Sequence, residues 1–263
     1  MGSATTNALT ALRQELTATP GIDLAVAGEL FDAARAIDSS PQLRGALADS
    51  AAAPVARRKV VADVFGRALS APAVALLSTA TSQRWSNAAE FVDGIEELAV
   101  RAASIAAPDA DLEGELFAVS RLVTANPELE LALGSRLGDA AAKGELIRSL
   151  LSGRAGDATT LIVAALVRHP RERRVRQLLT RAMALVADQR GRTVATVTVA
   201  APLSAAQAER LTAALSARYG TQVTLNTVVD AAVLGGVRVQ VADDLIDASV
   251  ATRLADLRQR LAG

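Results

Sequence analysis

Cysteine is absent from this 263-residue chain, and histidine, tryptophan and tyrosine each occur once. The lack of cysteine excludes a disulfide framework and any metal site built on thiolates, and it fits a reducing compartment such as the cytoplasm. The single histidine, His169, has no second imidazole with which to share a metal ion and no G-x-S-x-G serine to activate. We therefore expect no metal or cofactor site, and interpret His169 as a surface or interhelix residue.

Net charge is also lacking, because 28 basic residues balance 28 acidic ones. Without an overall positive field the chain has no general means of holding nucleic acid or an anionic membrane, so we expect protein partners. The two lysines, Lys59 and Lys143, do not stand in the G-x-x-x-x-G-K-[ST] context of a phosphate-binding loop. A nucleotide site of that kind is therefore excluded.

Long hydrophobic runs are missing as well. The longest, such as LIVAALV at 161–167, fall far below the roughly 18 apolar residues that a membrane span requires. The opening segment, MGSATTNALTALRQEL, lacks the basic and apolar regions of a secretory signal. We therefore expect no direct insertion into a membrane and no export.

An internal repeat is present. GELFDAARAIDSSPQLRGAL at 28–47 aligns without a gap to GELFAVSRLVTANPELELAL at 114–133, with nine of twenty positions identical. After small gaps the alignment continues, pairing Lys59 with Lys143 and the G-R-A sequence at 66–68 with the one at 153–155. The chain therefore holds two copies of one unit.

Each copy has the pattern of a helical bundle. Leu30, Phe31 and Ile37 share a helical face, and Ser40-Pro41 places a capping residue before a proline at the first helical position. Asn126-Pro127 repeats that signal, and the segments 71–82 and 157–168 are apolar enough for central bundle helices. The sequence predicts two tandem, superimposable all-α bundles, 1–107 and 108–190, in which 85–106 closes the first copy and is a candidate to open the second.

The pattern changes after Gly191. Alternating apolar residues predict strands around 195–199, 223–229 and 237–241, and S-A-A-Q at 204–207 is a capping box that opens a helix. A leucine-striped segment predicts a final helix. The order β-α-β-β-α indicates a small α/β domain at 191–263, so the predicted fold class is α+β.

Two motifs in this domain resemble ligand sites. Gly235-Gly236 lies between two predicted strands and not between a strand and a helix, so a tight connection explains it better than a dinucleotide-binding turn. Asp243, Asp244 and Asp247 lack the ligand spacing of a calcium loop. We interpret them as a turn before a helix, with Asp247 or Ser249 as the helix cap.

Charged residues in the helical part offer two further candidates. Five arginines lie between Arg168 and Arg176, without the interleaved aromatics of a nucleic-acid surface, so a solvated helix start or a protein contact is favoured. Glu96 and Glu97 are adjacent on a helix and point in different directions, which excludes an acid/base pair. The sequence predicts no catalytic residue, and it leaves open whether Trp85 and the arginines lie in the core or at interfaces.

The C-terminal part carries a family resemblance. A-x-P-L-S at 200–204, Asp230 before the glycine pair, a strand, and I-D-x-S-V before a leucine-striped helix resemble the delta subunit of F-type ATP synthases, the bacterial counterpart of the oligomycin-sensitivity-conferring protein. NPELELAL, Lys143 and Arg171 are similar to the family's helical domain. Together the matches cover 111–263. The additional copy before them resembles longer actinobacterial-type members.

The resemblance implies a stator subunit and not an enzyme. In this family the helical domain grips N-terminal helices of alpha subunits on the catalytic head, and the C-terminal domain holds the b subunit of the peripheral stalk, at the cytoplasmic side of the cell membrane. The resemblance leaves the alpha-contact residues unassigned. For the b contact it implies the C-terminal motif Gly235, Gly236, Asp247, Ser249, Leu254, Leu257 and Leu261.

Two other functions stay possible from the residues alone. One is a free-standing helical-repeat scaffold that binds an unrelated protein. The other is an enzyme, which would need an acid/base or metal cluster that the sequence does not display.

Overall fold

A computed structural model describes residues 2–135, 138–230, 233, 235–241 and 244–247. Helices come first in the chain and a small mixed sheet follows, in agreement with the α+β prediction. The chain divides into two compact units, Met1–Leu185 and Val186–Gly263. Across the described residues, every helix falls short of the length or the hydropathy that a transmembrane span needs.

In the part of the first unit that the structure describes, the elements are helices joined by loops. Its helices are α1 Ser3–Ala18, α2 Leu24–Ser39, α3 Pro41–Ala48, α4 Pro54–Phe65, α5 Ala71–Ser82, α6 Ala88–Ala106, α7 Leu112–Ala125, α8 Pro127–Gly134, α9 Ala140–Leu151 and α10 Asp157–Arg168. The next helix, α11 Val175–Gln189, continues beyond Leu185.

The sequence repeat reappears as a repeat of helices. Residues 24–69 hold α2, α3 and α4, and residues 111–155 hold α7, α8 and α9 in the same order. Helices α3 and α8 both have 8 residues, and α4 and α9 both have 12. Pro41 and Pro127 begin α3 and α8, as predicted. The order of elements therefore follows the repeat.

The predicted caps before these prolines differ between the copies. The Ser40 hydroxyl accepts a hydrogen bond from the Leu43 amide at 3.3 Å, as an N-cap does. The Asn126 side chain makes no such bond and instead donates to the Leu122 carbonyl at 2.7 Å. Asn126 thus binds the end of the preceding helix.

The glutamate of the repeated G-E-L-F sequence has one structural role in both copies. Glu29 accepts hydrogen bonds from the Ser70 amide at 2.9 Å and the Ser70 hydroxyl at 2.5 Å. Glu115 accepts a bond from the Gly156 amide at 3.1 Å and another from the Thr159 hydroxyl. Since Ser70 and Gly156 are the N-cap residues of α5 and α10, each glutamate binds free amides at the start of that helix.

The two lysines are not equivalent in the structure, contrary to the alignment. Arg57 and Lys143 are both the fourth residue of a 12-residue helix, and both are buried. Lys59 is exposed and forms an ion pair with Asp63 at 3.0 Å. The alignment followed identity and introduced gaps, whereas helical register and burial match Lys143 with Arg57.

Helix α6 is buried on nearly every side, which suits its many small residues. It packs against α1, α2, α3, α5 and α10. Its buried side chains include Phe91, Ile95 and Leu98, and its alanines allow neighbouring helices to approach closely. Helix α6 therefore contacts helices from both halves of the repeat.

Trp85 belongs to the core just before α6. Its ring is 7% exposed, and its indole N–H donates to the Ala80 carbonyl at 2.9 Å. The ring meets Phe91 edge-on, with centroids 5.7 Å apart, and a Cβ at Gly94 would lie 2.1 Å from it. Gly94 therefore provides the space in which the indole packs.

The second unit contains a four-stranded sheet. Its elements are β1 Arg192–Val199, α12 Ala205–Tyr219, β2 Gln222–Val229, β3 Val237–Val241 and β4 Asp244–Asp247. The strand order is β2-β1-β3-β4, with β1 parallel to β2 and the other pairs antiparallel. Ala195, Val197 and Val199 point into a core that includes Leu215 of α12, as the alternation predicted. The capping box of Ser204 and Gln207 is confirmed.

Strand β4 corrects the predicted turn at Asp244 to Asp247. Aspartates favour turns, so the local sequence did not indicate a strand. Pairing with β3 overrides that preference, and Asp247 lies opposite Arg238, with their charged groups 3.0 Å apart. The predicted final helix, and with it the helix-capping role, lies outside the described residues.

The glycine pair has the predicted backbone and lies between the two predicted strands, β2 and β3. Gly235 and Gly236 have φ values of 88° and 83°, a region that side chains disfavour. They do not join neighbouring strands, however, because β1 lies between β2 and β3 in the sheet. Directly after β2, the Asp230 amide donates to the Val199 carbonyl at the end of β1, at 2.8 Å.

Candidate functional site

The predicted stalk-binding residues fall partly on one end of the sheet. Gly236 precedes the first residue of β3, and Asp247 ends β4 opposite Arg238, so these positions share an edge of the second unit. Gly235 lies directly before Gly236, and the remaining four of the seven predicted residues lie outside the described part of the chain: Ser249, Leu254, Leu257 and Leu261.

An exposed valine at the same end was missed by the sequence analysis. Val229 ends β2 and pairs with Val199 at the end of β1, yet 47% of its surface is exposed. Alternation alone placed Val229 on the inward face, and its position at the strand end is what exposes it. Val229 therefore adds one accessible apolar side chain to this end of the sheet.

The arginines at 168–176 make ion pairs within the helical unit. Arg171 donates to Asp93 at 2.6 Å and lies 3.4 Å from Asp38. Arg173 binds both carboxylate oxygens of Glu96, at 2.8 and 2.7 Å. These bonds join the loop before α11 to α2 and α6. Most of the cluster therefore connects helices within the unit, whereas the sequence favoured a solvated helix start or a contact with another protein.

The backbone of this loop is strained. Arg171 and Glu172 have φ values of 49° and 66°, in the left-handed region that non-glycine residues seldom occupy. Such a conformation costs on the order of 1 kcal/mol per residue. The ion pairs of Arg171 and Arg173 hold the loop in place, so its surface is preorganised.

Asp38 is the acceptor at the centre of the network. Its carboxylate lies 2.7 Å from His169 Nε2 and 2.8 Å from Arg44 Nη1. Partial burial alone would raise the pKa of Asp38, but these hydrogen bonds and the charge of Arg171 outweigh burial and lower the pKa. His169 is thus an interhelix residue, as predicted.

Arg173 and Glu96 form the best-paired bridge of the loop. Burial alone would lower the pKa of Arg173, but the two bonds to Glu96 and the charges of Asp93 and Asp38 raise it above its ordinary value. Glu97 points elsewhere and meets Arg13 at 3.1 Å and Arg101 at 2.9 Å. The adjacent glutamates therefore serve separate ion pairs.

A cleft opens beside the loop. Its volume is about 780 Å³, and its walls are α8, the start of α9 and the segment 168–176. Lys143 lies in the wall with its ammonium bonded to the Ser135 carbonyl at the end of α8. Leu131 of α8 is 75% exposed at the same cleft. Within the described residues, no cluster of three histidines or carboxylates is arranged to hold a metal ion.

Comparison with known proteins gives these surfaces a context. The family model described as ATP synthase delta (OSCP) subunit matches residues 99–261. A protein named ATP synthase subunit delta from Leifsonia xyli subsp. xyli is 48% identical and aligns over 100% of both chains. A protein of the same name from Streptomyces avermitilis is 42% identical over 94% of this chain and 92% of its own.

Among solved structures, a chain in the Toxoplasma gondii mitochondrial ATP synthase hexamer is 24% identical, with a TM-score of 0.39, and aligns over 64% of this chain and 97% of its own. The family match covers more than half of the chain, and the Leifsonia relative is similar along its whole length. The chain therefore belongs to the ATP synthase delta (OSCP) subunit family and is a peripheral-stalk component of an F-type ATP synthase.

Proposed function

We propose that this subunit is a non-catalytic bridge, in which the helical unit binds the catalytic head and the α/β unit binds the b subunit. The observation that carries the proposal is the division of one chain into two compact units of different architecture. A stator has to hold two partners at once, and separate units provide separate surfaces. Each contact must be tight, and nanomolar binding corresponds to roughly 12 kcal/mol.

The helical unit contains two copies of one bundle in this proposal. The repeated order of helices and the paired roles of Glu29 and Glu115 support it. Helix α6 ends the first copy and begins the second, which accounts for its contacts with α1, α2 and α10. The proposed boundaries remain 1–107 and 108–190, with α6 as a shared wall.

The partner on the head is the N-terminal segment of an alpha subunit, bound as an amphipathic helix in a bundle groove. Grooves between helices recognise such segments through apolar contacts and need no titratable chemistry. The second copy is the preferred site, because it directly precedes the α/β unit and lies within the family match.

The b subunit occupies the end of the sheet that carries Gly236, Val229 and Asp247. A domain of about 70 residues can barely cover its own core, so exposed apolar side chains there are available to a partner. Placed between the head and b, the subunit is peripheral and lies at the cytoplasmic side of the cell membrane.

A non-catalytic role agrees with the way charge is used in the helical unit. The carboxylates of Asp38, Glu96 and Glu97 bind arginines that lie on other segments of the unit, such as Arg13 of α1 for Glu97. Catalytic acids and bases instead need access to a substrate.

The direct test measures binary binding. The full chain and a chain ending at residue 190 would be titrated with the b-subunit cytoplasmic segment and with an alpha N-terminal peptide. Both chains should bind the peptide equally, and only the full chain should bind b. Unchanged b binding by the shorter chain, with its Trp85 fluorescence native, would show that the α/β unit is not the stalk anchor.

A further inference from the structure

The cleft between α8, α9 and the segment 168–176 carries an excess of positive charge. Its walls hold six cationic side chains and two acidic ones. The cations are Lys143, Arg168, Arg171, Arg173, Arg174 and Arg176, and the acids are Glu130 and Glu172. A complementary ligand would therefore be negatively charged.

Most of the arginines already bind carboxylates. Arg176 lies 3.1 Å from Glu130, and Arg171 and Arg173 join the network of α2 and α6. Lys143 and Arg174 differ, because within the described part of the chain neither meets a carboxylate at ion-pair distance. These two cations are available to a ligand.

Of the two cations, Lys143 has the greater need of a charged partner, because it is buried. The residue is only 7% exposed, and its ammonium donates to the Ser135 carbonyl. Buried charges are normally paired, and an ammonium has three protons to donate. Gly138 packs directly against the Lys143 side chain, since a Cβ at that position would lie 2.9 Å from Lys143 Cε. A carboxylate entering the cleft would complete the pairing of Lys143.

Small phosphate-like anions fit the cleft less well. Such ions favour free amides at helix N-termini. At the start of α9, Asp139 already accepts bonds from the Ala141 and Ala142 amides. Before α11, the Arg174 amide donates to the Gln177 side chain. The starts of α9 and α11 beside the cleft are therefore occupied by the chain's own side chains.

An apolar contact at the rim favours a protein ligand. Leu131 is 75% exposed there, and a peptide can cover it while placing a carboxylate inside. The first copy lacks the exposed leucine, because it has Gly45 at the position of Leu131. Arg57 and Lys143 each donate to a backbone carbonyl, so Leu131 is what distinguishes the second copy.

We propose that this cleft binds an acidic segment of a catalytic-head subunit, with a carboxylate on Lys143 and Arg174 and an apolar side chain on Leu131. The proposal rests on the proposed function, in which the helical unit docks the head. The strained loop at Arg171 and Glu172 presents Arg174 in a fixed position, so little ordering is needed on binding. The positive charge of the cleft and the exposed Leu131 at its rim favour this ligand at the second copy over the first.

The test compares three cleft variants of the full chain, Lys143→Met, Arg174→Ala and Leu131→Ser, with two controls in the first copy, Arg84→Ala and Val55→Ser. Val55 is 67% exposed. Affinity for the purified catalytic head lacking this subunit would be measured at low and moderate salt. Each cleft variant should weaken binding about fivefold or more, and the two charge variants should also reduce its salt dependence. The controls should bind as the unmodified chain does.

Four outcomes would overturn the proposal or the function beneath it. Unchanged head affinity in Arg174→Ala and Leu131→Ser, both at exposed positions, contradicts the cleft as a docking site. If the cleft variants weaken binding to the b segment and not to the head, the proposal names the wrong partner. Calorimetric binding of inorganic phosphate that depends on Lys143, with head affinity intact, identifies a small-anion site. Failure of the unmodified chain to bind the head contradicts the proposed function itself.

Discussion

Single carboxylates in the helical unit decide how its helices begin and how its halves join. Glu29 and Glu115 bind amides at the starts of α5 and α10, and Asp38 contacts Arg44, Arg171 and His169. The G-E-L-F repeat pointed to the two glutamates, but their partners lie about 41 residues away and no local pattern indicates them. A residue that recurs in both copies can be recognised as structural before its contact partner is known.

Removing the Glu115 carboxylate should destabilise the helical unit. Glu115→Ala leaves the Gly156 amide without its acceptor, and we expect a loss of about 1–3 kcal/mol in the free energy of unfolding. Urea unfolding followed by the fluorescence of Trp85, the only tryptophan, measures it. The exposed Glu128 is the control, with an expected loss below about 1 kcal/mol for Glu128→Ala. Equal losses would contradict the capping role.

Acid should weaken the network around Asp38. Because the folded state lowers the pKa of this carboxyl, its contribution is present above the ordinary value of 3.8 and is lost as pH falls through the lowered one. Asp38→Asn should therefore destabilise the unit at pH 6 and make its stability fall less steeply below pH 4, as measured by urea unfolding. Asp32→Asn, at a mostly exposed position, is the control. An unchanged acid slope in Asp38→Asn would refute the assignment.

At the scale of elements, α6 follows its sequence pattern, whereas β4 does not. Its apolar pattern and the repeat suggested that it belongs to two copies, and its contacts with helices of both halves follow that pattern. The turn predicted at 244–247 was wrong, because four residues with two aspartates form a strand only through pairing with β3. Local sequence patterns predict long elements, whereas pairing with a neighbouring strand decides whether a short segment forms a strand.

Two glycine substitutions should have opposite effects on stability. Gly94→Ala drives a methyl group into Trp85, and overpacking of this kind costs about 1–3 kcal/mol. Gly45→Ala, inside α3, meets nothing within 4 Å and should stabilise its helix by about 0.5–1 kcal/mol. Thermal melting should move down for Gly94→Ala and up for Gly45→Ala. A neutral Gly94→Ala would contradict the packing of α6 on the indole.

For the whole molecule, the division into a helical unit and an α/β unit matters more than any one residue. The balanced charge, the absence of cysteine and the lack of a phosphate-binding loop argued against nucleic-acid binding, thiolate metal sites and that kind of nucleotide site. The repeat and the change from helical to strand periodicity after Gly191 predicted the architecture. The ion-pair network and the cleft could not be predicted, because they join residues far apart in the sequence. Membership of the family assigns the chain to the peripheral stalk. The proposed bridge requires that a subunit there binds two partners.

The central claim is that the chain couples head to stalk, and coupling can be measured in membrane vesicles reconstituted with a complex lacking this subunit. Adding the full chain should restore proton pumping driven by ATP hydrolysis, and adding the chain that ends at residue 190 should leave hydrolysis active without pumping. The bridge would be contradicted if the shorter chain restored full pumping. It would also be contradicted if the full chain bound the complex and pumping did not return.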